Sequence, residues 1–107
     1  FRRSWIRSIA PSSPNNLVVL QVDGDSMYPT LAHGDHVLVD SGQAQNLRDG
    51  IYVIRTQDSL QVKRISVNPA TRRITVKSDN PAYDSWPDCD PGDLTIIGRV
   101  AWVGRRL

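Results

Sequence analysis

Short apolar runs, most of them alternating with polar residues and rich in β-branched side chains, recur along this chain. Side chains on a strand point alternately to its two faces, so runs of this kind predict half-buried strands. Leu17–Val22 is the first. His36–Asp40 is the second, with Val37 and Val39 on one face. Ile51–Ile54 is the third, launched by the turn dipeptide Asp49-Gly50. Leu60–Val67 and Arg72–Lys77 predict the two arms of a hairpin around Asn68-Pro69-Ala70-Thr71. Leu94–Val103 predicts a long last strand interrupted at Gly98. Only Arg3–Ile9 has helical spacing, a turn or two ended by Pro11. The pattern predicts a mainly β domain of short antiparallel strands with at most a short N-terminal helix.

Size narrows this to one unit. A chain of 107 residues holds a single core, and no repeat or linker divides residues 1–107. With 39% hydrophobic and 22% charged residues it reads as an ordinary globular protein rather than a disordered one. The net charge of +2 comes from scattered arginines, a weak signal for direct nucleic-acid binding. The longest apolar stretch, Leu17–Leu20, is too short to span a bilayer, and no signal-peptide pattern opens the chain. Cys89 is alone, which excludes an internal disulfide and fits a reducing cytoplasm. Two histidines and one cysteine show no metal-ligand spacing, and no motif asks for a cofactor.

Candidate chemistry begins directly after the first strand, where Gly24-Asp25-Ser26-Met27-Tyr28-Pro29 interrupts the apolar pattern. The glycine permits a tight backbone path, and the proline fixes the exit. Such a turn presents a hydroxyl at a strand end beside backbone N–H groups, which suits a nucleophile with an oxyanion hole. It is equally what a plain turn looks like, and composition alone favours the plain turn. A nucleophilic serine needs a base. His36 falls within the alternation of the second strand, and His33 sits in the turn Ala32-His33-Gly34-Asp35, so both read as structural or surface residues. Cys89 is flanked by Asp88 and Asp90, whose charges suppress a reactive thiolate. Lys63 remains. Alternation puts Leu60, Val62 and Arg64 on one face and Gln61, Lys63, Ile65 and Val67 on the other. A lysine on that partly apolar face is either desolvated toward the neutral amine that a base requires, or a surface lysine whose stem covers apolar neighbours.

The segment Val22-Asp23-Gly24-Asp25-Ser26-Met27-Tyr28-Pro29-Thr30-Leu31, followed by Gly34-Asp35-His36-Val37-Leu38-Val39, resembles the nucleophile region of the LexA-like repressor peptidases. UmuD-type proteins and, more distantly, bacterial signal peptidases belong to the same clan. Val62-Lys63-Arg64-Ile65 resembles the strand that carries the clan's lysine, at the matching separation from Ser26. Ser78-Asp79-Asn80-Pro81-Ala82-Tyr83 and Ile96-Ile97-Gly98-Arg99-Val100-Ala101-Trp102 resemble later blocks of the family. The likeness runs from about residue 17 to the end, and four ordered blocks are a specific signal.

The resemblance implies a small LexA/signal-peptidase-like β fold with Ser26 as nucleophile and Lys63 as its general base. Ser26 Oγ and Lys63 Nζ are then expected within or near hydrogen-bond reach. The backbone amides of Ser26 and Asp25 would form the oxyanion hole, and Met27 would pack beside the nucleophile. It implies a serine endopeptidase that cuts its own linker, on a homodimer whose interface includes the C-terminal strand. A RecA-type filament would act as co-protease. DNA would be reached only through a helix-turn-helix domain upstream of Phe1. The alternative is a dimerisation and sensing module that keeps the Ser-Lys pair without cleaving. Scissile bonds in cleaving relatives are typically Ala-Gly or Cys-Gly, and neither dipeptide occurs in this chain. A membrane signal peptidase is a distant third reading.

Overall fold

The computed structural model describes residues 14–57 and 59–107. Seven strands follow one another: β1 Leu17–Gln21, β2 His36–Asp40, β3 Gly50–Thr56, β4 Ser59–Val67, β5 Ile74–Lys77, β6 Ser85–Cys89 and β7 Thr95–Gly104. Three short 3₁₀ turns (Pro14–Asn16, Ser41–Gln43 and Pro91–Asp93) are the helical elements among the described residues. The mainly β architecture matches the expectation. The expected helix over Arg3–Ile9 lies outside the described residues.

All seven strands join one antiparallel sheet in the order β1-β2-β7-β3-β4-β5-β6. The hairpins β3–β4 and β4–β5 are local, the second turning where Asn68-Pro69-Ala70-Thr71 predicts it. The long-range step is β7, which inserts between β2 and β3 and joins two local units into one sheet. The C-terminal strand, expected to take part in a dimer interface, is not an edge: hydrogen-bonded neighbours occupy both its sides, and the edges are β1 and β6. The expected interruption of β7 is real, but it is a pair of bulges and not a break. The register with β3 steps from Gly98 to Ile96, and that with β2 steps from Trp102 to Val100. Ile97 and Ala101 are therefore the extra residues. A Cβ at Gly98 would stand 2.7 Å from the Asp40 carbonyl oxygen, so glycine is what lets β2 approach β7 there.

Successive residues of β3 face opposite ways, and the core divides accordingly. Val53 packs on one face with Val22, Met27, Leu31, Val37 and Val39. Tyr52 and Ile54 pack on the other with Leu47, Ile65, Ile74 and Val76. The first cluster draws Met27 and Leu31 from the irregular stretch between β1 and β2. Burying those two side chains roots that loop in the core. β6 was not expected. Ser85-Trp86-Pro87-Asp88-Cys89 has no alternation, and its proline is tolerated because the strand is the last of the sheet.

Candidate active site

The loop after β1 owes its path to three local features. Gly24 has φ +89°, a conformation that costs glycine nothing and other residues a great deal. Tyr28 N–H closes a turn onto the Asp25 carbonyl at 3.1 Å, and Leu31 N–H closes another onto Met27 O at 2.9 Å. Met27 and Leu31 are 1% and 0% exposed and anchor the turns from below. Ser26, half-buried directly before Met27, is left at the wall of a cleft of about 460 Å³. The opposite wall is β4, with Leu60, Gln61, Val62 and Lys63. Leu20, Val22, Val37 and Val53 give the cleft an apolar floor, and Tyr83 stands at its rim.

Ser26 and Lys63 therefore line the same cleft. Lys63 is 7% exposed, buried on the face of β4 that also carries Ile65. Burial holds its amine below the ordinary lysine pKa of 10.5, because the charged form loses its hydration. Its Nζ donates to Ser78 Oγ at 2.7 Å and lies 5.4 Å from the centre of the Trp86 ring, a contact that favours the charged amine and opposes the shift. Among the described residues no hydrogen bond joins Ser26 to Lys63; the amine's partner is Ser78. Ser78 opens the block that resembles a later family segment, yet nothing in its composition marks it as a lysine partner. Only the pairing of β4 with β5, which ends at Lys77, brings it near.

The block from Ser78 to Tyr83 also grips the serine loop. Asn80 N–H donates to Ser26 O at 3.0 Å, and Asn80 Nδ2 donates to Asp25 O at 3.0 Å. Asp79 N–H reaches Met27 Sδ at 3.5 Å. The Asp79 carboxylate takes two bonds from Arg64, at 2.7 and 2.8 Å, and a third from Thr30 Oγ1 at 2.5 Å. The Arg64 bonds hold that carboxyl below the usual range. Tyr83 Oη donates to Asp25 Oδ1 at 2.5 Å, so the side chain of Asp25 is tied at the cleft rim.

The histidines take no part in the cleft. His33 is exposed and its Nδ1 accepts from Gly24 N–H at 2.9 Å, a structural bond that fixes the turn. His36 is exposed at the start of β2. Cys89 is half-buried, with its thiol on the Trp86 carbonyl at 3.3 Å. Among the described residues no cluster of acids, histidines and cysteines is arranged to hold a metal, and no helix is long and apolar enough to cross a membrane.

Chemically, a serine and a buried lysine that line one apolar cleft are residue types that acyl transfer by a serine nucleophile uses; the amine itself is turned to Ser78 and Trp86. A family model described as Peptidase S24-like matches residues 1–101. The 26 kDa repressor protein of Escherichia phage HK022 is 41% identical over 84 residues, 77% of this chain and 35% of that protein. Repressor protein CI of Enterobacteria phage phi80 is 30% identical over 103 residues, 95% of this chain and 43% of that protein. An uncharacterized HTH-type transcriptional regulator of Haemophilus influenzae is 31% identical over 98 residues, 87% of this chain and 39% of its own length. The chain thus spans less than half the length of each of these relatives.

Proposed function

The chain belongs to the Peptidase S24-like family, and from that premise we propose that it is the self-cleaving and dimerising domain of a phage-repressor-type transcriptional regulator. One observation carries the reading: Ser26 and a buried lysine, Lys63, line one apolar cleft. In this reading Ser26 Oγ attacks the carbonyl of a linker peptide laid in the cleft. The neutral Lys63 amine takes the hydroxyl proton and later returns it to the leaving amine. The developing oxyanion is met by the Ser26 N–H, with a neighbouring backbone amide. Met27 packs beneath the nucleophile. No metal or cofactor enters the scheme.

The regulator carries its DNA-binding domain upstream of this one, in a cytoplasmic setting, and two copies of this domain pair the DNA-binding domains on one operator. Because β7 is not an edge, its part in the pairing uses a sheet face and not strand addition; Val103, 38% exposed, lies on β7. A RecA-type filament serves as co-protease by stabilising the conformation in which the linker occupies the cleft.

A second reading is a dimerisation and sensing module that keeps the pair without cleaving. It is favoured by the partner of Lys63, which is Ser78 and not Ser26. Incubating the full-length regulator at alkaline pH separates the two. Self-cleavage yields two fragments from the wild type, while Ser26→Ala, Lys63→Ala and Lys63→Arg stay whole, since a guanidinium remains protonated at any usable pH. An intact wild type supports the non-cleaving module. Undiminished cleavage in Lys63→Ala removes lysine from the role of base.

A further inference from the structure

Two consecutive carbonyls flank the nucleophile, those of Asp25 and Ser26, and both are held by Asn80. The side-chain amide takes the first at 3.0 Å and the backbone N–H takes the second at 3.0 Å. The orientation of that side chain is not arbitrary. Its Oδ1 accepts from Ala82 N–H at 3.0 Å, which leaves only the NH₂ end for the Asp25 carbonyl. Tyr83 N–H in turn closes onto Asn80 O at 3.1 Å, so Asn80 is itself fixed by the turn it begins.

A trans peptide is planar, with its N–H pointing opposite to its C=O. Drawing the Asp25 carbonyl toward Asn80 therefore turns the Ser26 N–H away from Asn80. Drawing the Ser26 carbonyl the same way turns the Met27 N–H away too. Among the described residues neither N–H donates to a protein acceptor. Asn80 does not line the cleft, whereas Asp25, Ser26 and Met27 do.

We propose that Asn80 is a positioning residue that sets the oxyanion hole by gripping the two carbonyls beside Ser26, which orients the Ser26 amide as its donor. The proposal rests on the peptidase reading above. The logic is one of preorganisation: an amide aimed in advance costs no reorientation when negative charge develops. Without the side-chain grip, the Asp25 carbonyl keeps only its bond from Tyr28 N–H, and the Ser26 amide is less firmly aimed.

The test is the reaction of the full-length protein with diisopropyl fluorophosphate across pH. Ser26 Oγ bonds to phosphorus, fluoride leaves, and the proton passes to Lys63. Phosphorylation of Ser26 loads the same hole as acyl transfer. Asn80→Ala removes the side-chain donor, and Asn80→Asp also removes it but keeps the Oδ1 acceptor for Ala82 N–H, guarding the turn. The expected result in both is a labelling rate lower by about 10- to 100-fold with cooperative thermal unfolding retained. In Asn80→Ala the pH midpoint should match the wild type, because Lys63 is untouched; a loosened fold would instead move the midpoint along with the burial of the lysine. Wild-type labelling in either variant overturns the proposal, as does a loss explained wholly by a shifted midpoint. A wild type that is not labelled at any pH overturns the peptidase reading itself, and the positioning role with it.

Discussion

The two sides of the cleft are held by different physics. Lys63 sits within a strand hydrogen-bonded on both sides, and its place follows from the register of β4 and from burial next to Ile65. Ser26 sits on an irregular loop with no ladder. Its place follows from two buried apolar anchors, Met27 and Leu31, and from polar ties to residues 79–83. The lysine is held by the sheet and the serine by a clasp. A strand has few alternative arrangements, whereas a clasped loop is only as fixed as its ties. Perturbations of the clasp should therefore affect Ser26 before they affect Lys63.

The largest expected stability effect is at the anchor. Met27 is 1% exposed within the first core cluster, and Met27→Ala should cost about 2–5 kcal/mol by denaturant unfolding. The amides of residues 24–31 should also exchange with solvent faster, while those of β4 keep their protection. Equal loss of protection in both would break the comparison.

Cutting the polar side of the clasp should cost less. Asp79→Asn weakens the Arg64 pair and the Thr30 bond. It should destabilise by about 1–2 kcal/mol, because a third of the Arg64 side chain keeps its water (34% exposed). The expected signature is loop exchange that rises more than the global loss of stability explains.

The last effect shows only in acid. Asp35 is 2% exposed and accepts two bonds from Arg105, chiefly on that account having its carboxyl lowered from 3.8 to about 2, with Ala32 N–H assisting. A folded pKa below the unfolded one gives stability that is complete above the unfolded value. That stability is lost as pH falls from about 3.8 through about 2. Thermal melts of Asp35→Asn should lack that part of the slope. Asp79, also lowered, adds to the wild-type slope in the same direction, so the double variant should be the flattest.

Much of this architecture is legible in the chain. The alternation in Leu17–Gln21, His36–Asp40 and Ser59–Val67 is local, and local pattern is what a period of two reveals. What escapes it is long-range. The insertion of β7 between β2 and β3 depends on which edge it meets, and β6 hides behind Pro87. Ser26 and Lys63 were visible only through resemblance to a family, since a serine turn and a strand lysine are ordinary features by themselves. Ser78 and Asn80 were visible only as members of a matched block. Their roles rest on bonds to Lys63, 15 residues away, and Asp25, 55 residues away, which no local pattern encodes.

The central claim, that Lys63 serves Ser26 as a base, is tested most directly by titrating the lysine itself. Its amine can be followed in the full-length protein through the NMR shift of Cε, beside the rate of self-cleavage over the same pH range. The account predicts a midpoint below 10.5 shared by the two curves, with cleavage rising as the amine loses its proton. An amine that titrates at 10.5 or above, or cleavage that rises at a midpoint the lysine does not share, would contradict it.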